Sequence, residues 1–186
     1  LKIKKGHFLQ LNESYQYVSR KYYELSPGKY DFKDYDDCVN HFNEIFKNTI
    51  NDYEFEAKKY SSITSGGLDS TSISCVLSDI AKSDLQSYSS IFTSPKHDFS
   101  KANEDEFVRE VLQQKKLNHS FIEIEDTGPF NFLLNFRNDA DMPLYNSNLY
   151  VMDPILKEAN SSGFNYIFDG LDGDVVISHG YDELSH

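Results

Sequence analysis

The chain has 186 residues, 39% hydrophobic and 26% charged, enough for one folded domain with a sizeable core. Its 18 Lys and Arg against 30 Asp and Glu leave a net charge of −12, which argues against a nucleic-acid partner. No run approaches the ~18 apolar residues of a membrane span and no secretory signal is visible, so a cytoplasmic protein with no membrane partner is expected.

Residues 1–30 mix Tyr, Lys and Gly without sustained periodicity, and short strands are expected at Phe8–Leu11 and Tyr15–Val18. The first helix is predicted from Tyr35 to Ile50, where Cys38, Val39, Phe42, Ile45, Phe46 and Ile50 recur at helical spacing. A strand at Tyr60–Thr64 then leads into a helix at Ser70–Ala81 with Ile73, Val76, Leu77 and Ile80 on one face. A strand is predicted at Tyr88–Phe92 and a helix at Asn103–Lys115, the latter carrying Phe107, Val108, Val111 and Leu112. The last elements are a strand at Phe121–Ile124, a helix at Asn148–Ala159 and a short strand at Tyr166–Phe168. Strands alternating with helices predict an α/β fold, with a mainly parallel sheet flanked by helices. Ser61 and Ser62 fit poorly in a strand that should be central and apolar.

Cys38 and Cys75 fall on apolar helix faces and read as buried thiols rather than a disulfide or metal pair. The six histidines show no metal-ligand spacing, and His41, His97 and His119 read as structural or solvated. The chain starts at Leu1 rather than Met, as a piece of a longer protein would. No internal repeat or low-complexity linker is present.

The most informative segment is Ser65-Gly66-Gly67-Leu68-Asp69-Ser70, set between a strand and a helix. Glycines let backbone N–H groups approach an anion, the helix dipole adds partial positive charge, and Ser65 and Ser70 add hydroxyl donors. A bare Asp69 would repel phosphate, so it makes sense as a ligand of a divalent cation that the phosphates share. The loop lacks the Lys of a Walker A motif, the spacing of a dinucleotide fingerprint and the G-x-S-x-G of a nucleophile elbow. The plain alternative is a tight turn, which the flanking strand and helix disfavour. A second Gly/Asp segment, Asp169-Gly170-Leu171-Asp172-Gly173-Asp174, follows the last strand. Read alone it is a turn. It lacks the pattern of an EF-hand and occurs once, unlike calcium-binding repeats.

Ser65–Ser70 resembles the pyrophosphate loop of the ATP pyrophosphatases, whose adenine nucleotide alpha-hydrolase-like fold is therefore implied. Residues 169–174 resemble the G-x-G-[GS]-D segment of asparagine synthetases and β-lactam synthetases, matching at Gly170 and Asp174. Three weaker matches have the same order and spacing: Lys21–Glu24 with the segment joining glutaminase and synthetase domains, Asn103–Val111 with the helix after the second sheet strand, and Asp139–Asn148 with the Asp-Glu-Pro segment and its helix.

The resemblance implies ATP and Mg2+ as cofactors and an amide-forming ligase that adenylates a carboxylate. By family position, Ser65, Gly66, Gly67, Leu68, Asp69, Ser70 and Gly170 would hold the ATP polyphosphate, and Asp69 and Asp174 the magnesium. Ile91 and the backbone near Thr64 would line the adenine pocket, and Asp141 belongs to the acyl acceptor region. Residues 1–30 would be an interdomain connection and 31–186 the ATP-pyrophosphatase domain, truncated at its C-terminus. Nothing resembles a glutaminase domain, and the sequence leaves open whether one is on the same chain, on another chain or absent. The family's catalytic lysine lies downstream of the second motif, and the chain ends twelve residues after Asp174, so no catalytic residue is assigned.

The chain departs from the family at Leu171, where Glu or Tyr is usual and a proton cannot be transferred. It departs again at Asp172, which replaces Gly, at Val175, which replaces Glu, and at Ser178-His179-Gly180. A non-catalytic Mg-ATP-binding relative and another ATP pyrophosphatase, such as a thiolating enzyme, are the alternatives. The second would favour paired reactive cysteines and a basic surface, and the chain has neither.

Overall fold

A computed structural model describes residues 3–26, 28, 30–56, 59–81, 85–93, 102–124, 130, 132–133 and 148–173. The chain divides into two compact units, Leu1–His41 and Phe42–His186.

The first unit is built on an antiparallel hairpin of β1 (His7–Leu11) and β2 (Tyr17–Lys21). The expected strand at Tyr15–Val18 is displaced, because Asn12 makes the turn there. Its Oδ1 accepts the N–H groups of Ser14 at 3.0 Å and Gln16 at 2.9 Å, and Tyr15 sits at φ 58°. The Lys21–Glu24 segment folds back on Gly6, whose carbonyl accepts the N–H groups of Tyr22 and Tyr23. Tyr30 and Phe32 stack at 5.7 Å, and both rings touch that of His41.

Helix α1 (Tyr35–Glu56) begins where Asp34 Oδ1 accepts the Asp37 N–H at 2.8 Å. It runs six residues past the predicted end at Ile50, through Asn51–Glu56, where Tyr53 and Phe55 alternate with polar residues instead of recurring at helical spacing.

The second unit holds a four-stranded, all-parallel sheet with strand order β5-β4-β3-β6. The strands are β3 (Tyr60–Ile63), β4 (Leu85–Phe92), β5 (Leu117–Ile124) and β6 (Tyr166–Phe168). Helices α2 (Leu68–Ile80), α3 (Asp105–Gln114) and α4 (Leu149–Ser161) complete the unit. The α/β architecture is as the alternation predicts. The chain winds one way from β3 through β4 to β5 and then returns to place β6 on the other side of β3. That reversal puts a topological switch point between β3 and β6, where open parallel sheets form a crevice at their carboxyl ends.

Two apolar clusters cover the sheet. Ile63 and Tyr88 pack on Ile155 and Ala159 of α4, and Ile50 of α1 packs with Leu77 of α2 and Leu85 of β4. Beneath the N-terminal half of α2 the interior is polar: Ser62, Thr64, Ser74, Ser87 and Ser89 are buried there, and Ser61 is buried on the opposite face of β3, which it shares with Ile63. Ser74 Oγ accepts from Thr64 Oγ1 at 2.9 Å and faces Ser62 Oγ at 3.0 Å and the Ile63 carbonyl at 3.1 Å. Ser89 Oγ donates to the Thr64 carbonyl. Serine is therefore no misfit in β3: Ser62 is bonded to the helix above it, although Ser61 Oγ is buried without a partner.

Cys38 and Cys75 are free and half-buried rather than fully buried, and burial raises the Cys75 thiol pKa. His97 lies outside the described residues. His119 is structural: its Nδ1 and Ser87 Oγ are 2.6 Å apart, and its Nε2 is buried without a partner. Burial, and secondarily the Arg109 charge, lower its pKa from 6.5 to about 4. Above 6.5 the ring is neutral in folded and unfolded chains alike and contributes no pH dependence. As pH falls from 6.5 towards 4 the unfolded chain takes up a proton that the folded chain refuses, so stability falls across that window. Urea unfolding of wild type and His119→Gln over this range should show a shallower acid-side loss in the variant. Parallel pH profiles would overturn the assignment.

Candidate functional site

The loops after β3 and β6 meet at the switch point. The first turns on Gly66, at φ 95°, and on Gly67, at φ −67° and ψ 155°, which stands as the N-cap of α2. The Thr71 N–H closes the first helical bond to Gly67 O at 3.2 Å. The N–H groups of Leu68, Asp69 and Ser70 precede that bond and have no acceptor within the helix, so the positive end of the dipole faces outward. Ser70 is buried. Its Oγ accepts the Ser65 N–H at 3.1 Å and lies 2.8 Å from Ser65 Oγ, which the Gly67 N–H approaches at 3.3 Å. The two hydroxyls expected to face a phosphate thus also hold the loop's own shape.

The second loop is a compact turn. The Leu171 N–H donates to Asp169 Oδ1 at 2.9 Å, and the Gly173 N–H to the Gly170 carbonyl at 3.2 Å. Asp172 has φ 66°, so it keeps a backbone conformation that a glycine adopts more easily. Gly170 lies against the start of α2. A Cβ there would collide with the Ser70 nitrogen and stand 2.9 Å from Ser70 Cα. A Cβ on Gly173 would run into the Asp69 carboxylate and stand 2.8 Å from Asp69 Cβ. The backbone of the second loop therefore rests on the first turn of α2, with Asp69 half-buried between them.

The remaining expected residues are distributed around this contact. Ile91 is near the carboxyl end of β4, two residues beyond Ser89 and on the same sheet face, the face that Ser62 and Thr64 share. Leu68 and Leu171 are 86% and 70% exposed and border a cavity of about 760 Å³ between α1 and α2, with Phe42, Phe46, Ile73 and Val76. Asp174, Asp141, Val175 and Ser178–Gly180 lie outside the described residues. Among the described residues no three His, Cys, Asp or Glu side chains gather as a metal-holding group, and no helix is long and apolar enough to cross a membrane.

Sequence reasoning overlooked Glu104. Its Cβ and carbonyl oxygen would each stand 2.9 Å from a Cβ on Gly66, and its Oε2 3.4 Å from it. These contacts predict a graded response to alanine. Gly66→Ala meets both the left-handed backbone and Glu104, and Gly170→Ala meets the α2 backbone, so each should destabilise by about 2 kcal/mol or more. Gly67→Ala faces Ser65 Oγ at 3.4 Å from a permitted φ and should cost less, about 1 kcal/mol, the ordinary loss for alanine at an N-cap. Denaturant unfolding of the three variants checks the order. Equal losses would show that the loops are not packed in this way.

No curated protein matches the chain in a sequence comparison. The asparagine synthase family matches residues 41–186, which include the whole sheet and both loops. With the glycine loop before α2, the Gly/Asp loop after β6 and the parallel sheet that brings them together, this match shows that the chain belongs to the asparagine synthase family.

Proposed function

We propose that the protein is an ATP-dependent amide-forming synthetase that adenylates a substrate carboxylate and releases pyrophosphate. The family supports the class: it is one of ATP-dependent synthetases, generally carbon–nitrogen ligases, whose members use ATP and generally Mg2+. The observation that carries the finer reading is the seating of the Gly170 loop on the first turn of α2, which joins two Gly/Asp loops around Asp69.

The residues present fit a magnesium-bound polyphosphate. Three N–H groups at the α2 N-terminus lack intrahelical acceptors, and Gly66 and Gly67 add no side chain to obstruct an anion. A half-buried carboxylate at the same helix start favours an intervening cation over a bare phosphate.

Bound Mg-ATP supplies an α-phosphoryl group for attack by the carboxylate, and an amine then displaces AMP from the acyl group. In this reading Ser65, Gly66, Gly67 and Ser70 cradle the polyphosphate, and Asp69 with Asp174 holds the metal. Ile91 and the Thr64 backbone border the adenine. Most of the first step is then positioning and charge neutralisation by groups already in place. Leu171 moves no proton, so deprotonation of the amine falls to another group. Asp141 belongs to the acceptor side, and residues 1–30 resemble the family's interdomain connection. The second reading, a binding module without turnover, is favoured by Leu171 itself.

Calorimetric titration with Mg-ATP tests the site. Binding should require Mg2+ and weaken by about tenfold or more in Asp69→Ala and in Asp174→Asn, which is about 1.4 kcal/mol or more. Affinity indifferent to Mg2+ or to both carboxylates would sink the proposal. Pyrophosphate release in the presence of carboxylic acids separates the synthetase from the binding module.

A further inference from the structure

We infer that Asn103 and Glu104 form a positioning element that holds the end of β4 in register with the glycine loop after β3. The inference rests on the nucleotide-site reading above, in which Ile91 of β4 borders the adenine and the glycine loop holds the polyphosphate.

The two residues are adjacent in the chain and reach opposite sides of that proposed site. Strand β3 pairs with β4 at Ser62–Ser87 and Ile63–Tyr88, and the Thr64 N–H bonds the Tyr88 carbonyl. Beyond Thr64 the chain turns away into the glycine loop, whereas β4 continues to Phe92. Backbone groups of alternate residues point the same way, so the N–H and C=O of Phe92 face the side that β3 has left. Asn103 stands there. Its Oδ1 accepts the Phe92 N–H at 2.8 Å and its Nδ2 donates to the Phe92 carbonyl at 3.0 Å. A side-chain amide carries both an acceptor and a donor, so it can take the place of a strand's peptide group, which Asp, Ser or Ala cannot fully do.

Glu104 follows at once and starts α3, its carbonyl accepting the N–H groups of Phe107 at 3.1 Å and Val108 at 3.3 Å. That carbonyl and the Glu104 Cβ occupy the space beside Gly66. One peptide unit, about 3.8 Å from Cα to Cα, thus separates the residue that clasps β4 from the residue that presses on the loop. Adenine and polyphosphate belong to one molecule, so a site that binds both ends gains affinity only while its two halves keep their spacing. Asn103 sets that spacing through atoms that need not touch the nucleotide. The role assigned to Glu104 rests on its Cβ and carbonyl, which pack closest to Gly66, and not on the charge of its carboxylate, whose Oε2 lies farther off.

The test has two arms. The first needs no ligand: amide hydrogen exchange, resolved by residue, on wild type, Asn103→Ala, Asn103→Asp and Glu104→Gln. Asn103→Ala should expose Phe92 and also the amides of residues 64–68. Asn103→Asp, which keeps the acceptor for the Phe92 N–H, should lie between it and wild type, and it serves if the alanine variant does not fold. Glu104→Gln should match wild type. Faster exchange at Phe92 with an unmoved loop would overturn the coupling.

The second arm compares calorimetric affinities for Mg-ATP and for Mg-pyrophosphate, the probe that engages the loop alone. Asn103→Ala should reduce the preference for ATP over pyrophosphate by about tenfold or more, whereas general destabilisation weakens both alike. An unchanged ratio overturns the positioning role. A wild type that binds neither overturns the nucleotide reading instead, and the exchange arm still decides whether Asn103 couples strand to loop.

Discussion

The close seating of α2 on the sheet is the constraint from which the rest of the second unit follows. Large apolar side chains would hold the helix farther off. Here Ser62, Thr64 and Ser74 meet through their hydroxyls, and a hydrogen-bonded hydroxyl pair is shorter than a contact between branched hydrocarbon side chains. Each hydroxyl beneath the helix that reaches a partner avoids the penalty of a buried, unpaired polar group, and a satisfied network in a low-dielectric interior is rigid. The network ends at Thr64, where the glycine loop starts. Ser89 of β4 holds the Thr64 carbonyl and Ser70 of α2 holds the Ser65 N–H, so strand and helix fix the loop from both sides.

This polar interior explains which elements can be read from the sequence. The elements with apolar periodicity or an apolar run appear where expected, among them α2, α3, α4 and β6. Strands β4 and β5 begin three and four residues earlier than their apolar runs, at Leu85 and Leu117. Behind a single leucine, Leu85 or Leu117, the extra residues are Gln86 and Ser87 in one strand and Asn118, His119 and Ser120 in the other. They are polar, yet each strand pairs through them in unbroken register, and Ser87 bonds His119 across it. A pattern of hydrophobicity cannot reveal strands whose interior contacts are hydroxyl to hydroxyl and hydroxyl to imidazole.

The glycine loop was legible because its chemistry is local: six consecutive residues supply the turn, the helix start and the carboxylate. What surrounds the loop was not. Glu104 is 38 positions from Gly66 and reaches it only because β4 and α3 bring it back. Gly173 packs on Asp69 only because β6 lies next to β3. Glycine in these places reads as a generic turn in the sequence. In the fold Gly170 rests on the backbone at the start of α2 and Gly173 on the Asp69 side chain, contacts that an added side chain would prevent.

These contacts also separate the two halves of the proposed reaction. The proposed nucleotide half would use helix N–H groups, glycines, two hydroxyls and Asp69, which the first turn of α2 and its preceding loop supply. Replacing a side chain elsewhere in the second loop leaves that set intact, provided that Gly170 and Gly173 keep their places. Leu171 is such a replacement. It is largely exposed and borders the cavity with Leu68. Its neighbour Asp172 adopts the left-handed conformation within the turn. In the proposed reaction the Leu171 side chain therefore bears on the amine step rather than on capture of the nucleotide. A chain can diverge there and still hold the polyphosphate, because the groups that would hold it belong to the fold rather than to the diverging side chain.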